Sequence, residues 1–169
     1  MYLLGGIDNS TTYMNDVWSS SDGKTWTQIT DNATWPKRYG HLATAFNKKI
    51  WVMGGNNGST IKDVWYSSND NASSWTQAST SGTMWSAGSG TPASVFDGEL
   101  WVAGGNGGSG TLNSWSSSDG SAWTKVAVKD NETYRSGIES VVMGLIRLYL
   151  IGGYVGNNTY KDDVLKYGP

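Results

Sequence analysis

An all-β fold built from repeated, antiparallel four-stranded units is predicted by three observations. Gly contributes 23 of the 169 residues, about twice the roughly 7% of an average chain, so turns are dense. Gly-Gly pairs that follow short apolar runs recur at Gly5-Gly6, Gly54-Gly55, Gly104-Gly105 and Gly152-Gly153, an internal repeat of about 50 residues. Helical periodicity is absent, whereas short aromatic and β-branched runs bounded by Gly, Asn, Asp and Ser recur throughout. The same composition closes other routes. Ten Trp and nine Tyr are too many for a flexible linker, the glycines keep no three-residue period, and with no Cys there is no disulfide framework.

Each element of the unit has its own justification. Strand a is an apolar and small-residue run such as Leu42-Ala43-Thr44-Ala45-Phe46. A short turn, Asn47-Lys48-Lys49 or Asp97-Gly98, leads into strand b, Ile50-Trp51-Val52-Met53 or Leu100-Trp101-Val102-Ala103. The double glycine is then expected to end strand b by taking φ > 0 or admitting a close backbone approach. Strand c covers Asp16 to Ser20 and its counterparts, and strand d starts at the Trp-Thr pairs of Trp26, Trp75 and Trp123. The ten Trp take four places in this unit: Trp51 and Trp101 in strand b; Trp18, Trp65 and Trp115 in strand c; Trp26, Trp75 and Trp123 at strand d; Trp35 and Trp85 ahead of strand a. One domain over residues 1-169 follows, with units at 1-31, 32-80, 81-130 and 131-169 and strands in the order b-c-d, a-b-c-d, a-b-c-d, a-b-c. The apolar stretch Val141 to Ile151, broken by Gly144 and Arg147, is far short of the ~20 residues a membrane helix needs and reads as a hairpin.

The segments Arg38-Tyr39-Gly40-His41, Ile50-Trp51-Val52-Met53-Gly54-Gly55 and Asp63-Val64-Trp65, recurring together in order, resemble the kelch repeat of β-propellers over nearly the whole chain. The c–d turns Ser20-Ser21-Asp22-Gly23-Lys24-Thr25-Trp26 and Ser117-Ser118-Asp119-Gly120-Ser121-Ala122-Trp123 look like shortened Asp-boxes, in which Asp22, Asp70 and Asp119 would be structural. The resemblance implies kelch-type blades of four antiparallel strands, about three and a half of them, where closed propellers hold about four to eight. The first unit lacks a and the last lacks d, so a fragment of a longer propeller, a half propeller completed by a second copy, and a four-bladed monomer are the alternatives, in that order of economy. The last unit also carries Met143-Gly144-Leu145-Ile146-Arg147 where a short polar turn belongs, a bulge or a longer turn.

Chemistry finds few footholds. Twelve Lys and Arg against fourteen Asp and Glu give a formal charge of −2, which argues for neither nucleic acid nor an anionic membrane. The N-terminus shows no signal-peptide pattern, which leaves localisation undetermined. His41 is the single histidine, and the resemblance makes it a structural residue of strand a; no zinc set and no serine triad can be assembled around it, so no cofactor or metal is expected. In kelch domains that bind acidic peptides, arginines of the Arg-x-Gly position stand at the channel mouth, and the resemblance implies the same of Arg38 and Arg135. Tyr39, Tyr134, Trp35 and Trp85 flank them, and aromatics around a guanidinium suit an anionic peptide or sugar. The middle unit has Ala87-Gly88-Ser89-Gly90 instead. The function expected is a non-catalytic module binding protein or carbohydrate through channel-mouth loops. The alternative is part of a propeller enzyme of the sialic-acid mutarotase or glycosidase type whose remaining blades are missing; a homo-oligomer completing a propeller ring is the other partner expected.

Overall fold

A computed structural model describes residues 1–69, 71–82, 85, 91–104, 112–126, 135–144 and 147–167. Among them there is no helix, and fifteen strands form four sheets. The chain divides into two compact units, Met1–Ala78 and Ser79–Pro169, each holding two sheets.

In the first unit, β1 (Tyr2–Ile7), β2 (Tyr13–Ser19) and β3 (Thr27–Thr30) form an antiparallel sheet. A second antiparallel sheet runs in order through β4 (Leu42–Phe46), β5 (Lys49–Met53), β6 (Val64–Ser67) and β7 (Trp75–Gln77). Their facing sides share one core: Val17, Ala33, Trp35, Val52, Ala72 and Trp75 are buried, with Leu4, Ile29, Ile50 and Trp65 packed against them. Alternation explains which side is inside. Leu4 pairs with Val17 across β1 and β2, and Val52 pairs with Trp65 across β5 and β6, so each apolar pair lies on one face.

The second unit holds β8 (Ser81–Gly82), β9 (Ala93–Phe96), β10 (Glu99–Ala103), β11 (Ser114–Ser117) and β12 (Ala122–Val126), then β13 (Glu139–Met143), β14 (Arg147–Gly156) and β15 (Thr159–Tyr167). The third sheet is ordered β8-β12-β11-β10-β9 and the fourth β13-β14-β15. Ala103, Leu112, Ile138 and Leu150 are the buried core between them, joined by Leu165 and Tyr167. The sequence does not foresee β8, the outer strand at one edge of its sheet, which pairs parallel to β12. Gly82 has φ +85°, and a Cβ there would lie 2.2 Å from the Trp123 carbonyl oxygen. Only glycine permits that approach.

Three hairpins turn on two residues in the left-handed region: Asn47 and Lys48, Asp97 and Gly98, and Asn157 and Asn158. Such turns follow the right-handed twist of the strands they join. The β13–β14 connection is one residue longer, as the sequence suggested; Gly144 has φ +65°, while Leu145 and Ile146 lie outside the described residues.

The double glycines behave in two ways. β5 and β10 end just before Gly54 and Gly104, as expected. Gly5-Gly6 and Gly152-Gly153 instead lie inside β1 and β14, where the pairing register shifts between Leu4 and Gly6 and between Ile151 and Gly153. In these two sheets the glycines form a bulge beyond which strands b and c keep pairing as a two-stranded ribbon.

Candidate functional site

The double-glycine ends of the sheets are where the segments carrying Arg38 and Arg135 cross. Arg38 bridges to the first sheet through its backbone: its N–H donates to Met14 O at 2.9 Å, and its carbonyl accepts from Gly6 N at 3.0 Å. Tyr39 and Asn56 exchange two backbone hydrogen bonds of 3.0 Å. Ser136 and Tyr154 do the same in the second unit, at 2.9 and 2.7 Å. The crossing is close enough to require glycine beneath it. A Cβ on Gly55 would stand 2.8 Å from Tyr39 O, and one on Gly153 would stand 3.0 Å from the Arg135 Cβ.

The arginine side chains turn inward. Arg38 is fully buried. Its Nε donates to Pro36 O at 3.0 Å, Nη1 donates to Gly54 O at 2.8 Å, and Nη1 and Nη2 grip both oxygens of Asp63, with Nη2 to Oδ2 at 2.8 Å. Trp65 Nε1 donates to the same Asp63 Oδ2 at 2.8 Å, and the guanidinium lies 5.8 Å from the Trp35 ring centroid. Arg135 repeats the arrangement, donating to Gly152 O at 3.2 Å and to both oxygens of Asp163. The Asp163 carboxyl is held below the usual carboxylate range, first by the hydrogen bond from Arg135. The two pairs differ in depth: the Asp63 side chain is 15% exposed and that of Asp163 is 41%. A bidentate pair of this kind is a strong, directional clamp, and here it ties the start of strand a to strand c.

In this structure both guanidinium groups, expected at a channel mouth, face carboxylates of the chain. The acidic partner of each arginine belongs to the chain itself. Trp35 and Trp85 are also fully buried, Trp35 edge-on to Trp75 at 6.0 Å and Trp85 edge-on to Trp123 at 4.5 Å. They are core rather than surface. Tyr134 lies outside the described residues, as do Asp70 and Ala87 to Gly90. A signal for the ion pairs does exist in the sequence: Arg and Asp occur together in the second and fourth units, whereas the third has Ala87-Gly88 in place of Arg and Asn113 in place of Asp.

Tyr39 retains partial exposure and stacks on Tyr13, ring centroids 5.5 Å apart and planes within 8°. The second unit carries a comparable pair at its own double-glycine end: Tyr154 and Tyr160 are cross-strand neighbours with ring centroids 5.2 Å apart, and Tyr160 is 75% exposed. Tyr13, Tyr154 and Tyr160 are therefore additions to the residues read from sequence. What could have revealed them is hairpin position, since each lies just past a Gly-Gly pair on a ribbon that the sequence alone reads as loop.

His41 is half-buried below Trp35, ring centroids 5.9 Å apart. Burial and the neighbouring Arg38 charge push its pKa down to about 4, so it is neutral at pH 7. Asp22 and Asp119 close their own turns. Asp22 Oδ1 accepts from the backbone of Lys24 and Thr25 at 2.8 Å, and Asp119 Oδ1 from Ser121 and Ala122 at 2.7 and 2.9 Å. Those bonds lower both carboxyl pKa values, that of Asp22 to about 2.

Comparison with curated proteins returns no match. The family model for the KLHDC2/KLHL20/DRC7 Kelch-repeats domain, in contrast, matches residues 1–169. With its all-strand sheets, its recurring double glycines and a match over its whole length, the chain belongs to the KLHDC2/KLHL20/DRC7 Kelch-repeats domain family.

Proposed function

We propose that this chain is a non-catalytic interaction module whose ligand surface is the set of ribbons and loops at the double-glycine ends of its sheets. Kelch repeats are typically non-enzymatic protein-interaction domains, which makes a protein segment the preferred ligand. The observation that carries the reading is the pair of tyrosine clusters, Tyr13 with Tyr39 and Tyr154 with Tyr160, each at the double-glycine end of its unit. Tyrosine offers a large amphipathic contact surface at low entropic cost, the property that enriches it at binding hot spots. Arg38 acts in this reading as a positioning residue for the segment on which Tyr39 stands, and Arg135 as one for the segment whose Ser136 pairs with Tyr154. Carbohydrate is the second ligand class, since flat aromatic faces also accept sugar rings. The alternative of a sugar-acting enzyme gains no residue: His41 is neutral beneath Trp35, and both arginines are clamped by carboxylates.

Two probes test the proposal on the 169-residue chain: a phage-displayed random peptide library and an immobilised glycan panel. Selected peptides that lose about tenfold or more in affinity with Tyr13→Ala or Tyr160→Ala support a protein ligand surface. Glycans lost with the same variants move the assignment to carbohydrate. Binders indifferent to all four tyrosines would place the surface elsewhere.

A further inference from the structure

The second sheet has a polar cavity at the end away from its double glycine. Lys49 opens β5 and Gly54 follows its end, so the β4–β5 turn stands a strand's length from the tyrosine surface. Asn47, Lys48 and Lys49 of that turn and Ser67, Ser68 and Asn69 of the β6–β7 turn line a cavity of about 170 Å³, all within the first unit. Lys48 is exposed, and Lys49 is half-buried with its Nζ 4.0 Å above the Tyr66 ring centroid. That contact restrains the long stem while the ammonium keeps its charge. Among the described residues no carboxylate pairs with either lysine. Ser67 is 2% exposed, and its Oγ accepts from Ile50 N at 3.0 Å. No acceptor among the described residues takes its proton, so a buried O–H is left to donate. Asn69, by contrast, is committed within its own turn to Ser73 and Ser74.

The third sheet builds the same turns with the opposite charge. Phe46 pairs with Lys49 and Phe96 pairs with Glu99, which makes Asn47, Lys48 and Lys49 the counterparts of Asp97, Gly98 and Glu99. Both c–d turns open on a serine pair, and Asn69 stands where the third sheet has Asp119. Where the third sheet sets three carboxylates and a glycine, the second therefore sets two ammonium groups and two amides. Asp70, opposite Gly120 in this comparison, lies outside the described residues. Both a–b hairpins turn on two residues of positive φ, so the turn forms equally well with either set. Hairpin geometry does not account for the reversal of charge.

We propose that this cavity binds a phosphoryl group, with Lys48 and Lys49 supplying the charge and Ser67 a hydroxyl donor. A phosphoryl group carries about −1.5 to −2 charge at pH 7 and three strong acceptor oxygens. Two ammonium groups match that charge, and lysine serves as a point charge that needs no fixed fork geometry. A carboxylate, with a single charge, would leave one ammonium uncompensated. The site lies at the opposite end of its sheet from Tyr39 and is independent of the tyrosine surface.

Amide NMR titration of the 169-residue chain tests this at constant ionic strength, with inorganic phosphate and with a capped phosphoserine tripeptide as probes. The amides of 47–49 and 67–69 should shift together and saturate, while those of 97–99 stay in place. Lys48→Gly combined with Lys49→Glu gives the second turn the third turn's residues at these places, and it should weaken both probes by about tenfold or more. Its spectrum away from the two turns should overlay on the parent, which shows that the fold survives. Tighter binding of the tripeptide than of phosphate assigns the group to a phosphorylated protein segment, and affinity no greater than that of phosphate assigns it to the free ion. Shifts that never saturate, that chloride reproduces, or that persist undiminished in the double variant would overturn the proposal.

Discussion

Replacing Asp63 by Ala isolates the clamp on Arg38. The guanidinium is fully buried, and the substitution strips it of both carboxylate oxygens while leaving the acceptors Pro36 O and Gly54 O in place. Breaking a buried ion pair from one side costs about 3–5 kcal/mol, because the surviving charge is uncompensated. Trp65 Nε1 loses its acceptor as well, for roughly another 1 kcal/mol. Water can reach the vacated place, since the Asp63 side chain is 15% exposed, so the lower end of the range applies and a loss of about 3 kcal/mol is expected. Urea unfolding followed by Trp fluorescence measures it, and amide exchange in β4–β7 localises it to the first unit. The double variant Arg38→Met with Asp63→Leu should recover most of that loss, as the charge disappears with its partner. A loss below about 1 kcal/mol for Asp63→Ala, the size of an exposed pair, would refute the reasoning. So would a double variant as unstable as the single one.

Asp163→Ala should be milder than Asp63→Ala in the same urea titration, since the 41% exposed carboxylate leaves room for solvent to replace it. His41 has a folded pKa of about 4 against an ordinary 6.5. The unfolded chain therefore binds the proton first, and stability falls as pH drops from about 6.5 to about 4. His41→Gln should flatten urea midpoints across that window; an unchanged pH slope would count against a half-buried neutral imidazole. Asp22 acts lower, its contribution present above pH 3.8 and lost as pH falls toward about 2, so Asp22→Asn should alter acid unfolding below pH 3.8 and not the His41 window. Gly55→Ala should lower the melting temperature markedly, because the new Cβ meets Tyr39 O at 2.8 Å at a φ of +100°; calorimetry showing no shift would mean the crossing segment can move away.

The repeat was legible because its markers are local. Double glycines, Trp in four fixed places and Asp-Gly or Asn-Lys turns each report a backbone event within a few residues. Burial of Arg38 was not legible in that way, since the residue that decides it, Asp63, stands 25 positions downstream on another strand. An arginine looks the same in sequence whether its carboxylate comes from a ligand or from its own sheet. The burial of Trp35 and Trp85 was hidden for a related reason: an indole beside a loop suits a rim or a core equally well in sequence, and the contacts with Trp75 and Trp123 come from other strands. The ribbons past Gly6 and Gly153 escaped because Gly-Gly reads as a strand end, whereas a bulge lets pairing resume beyond it. β8 is two residues long and made by position rather than propensity.

That short strand has a consequence for solubility. A sheet whose outermost strand shows a free row of N–H and C=O groups is a template for pairing with other chains, and aggregation can begin there. By lying along β12 at Ala122 and Trp123, Ser81 and Gly82 occupy part of that row with backbone from the same molecule. The glycine that cannot be replaced without collision is thus an edge guard, and any side chain that lifts β8 away would bare that part of the β12 edge.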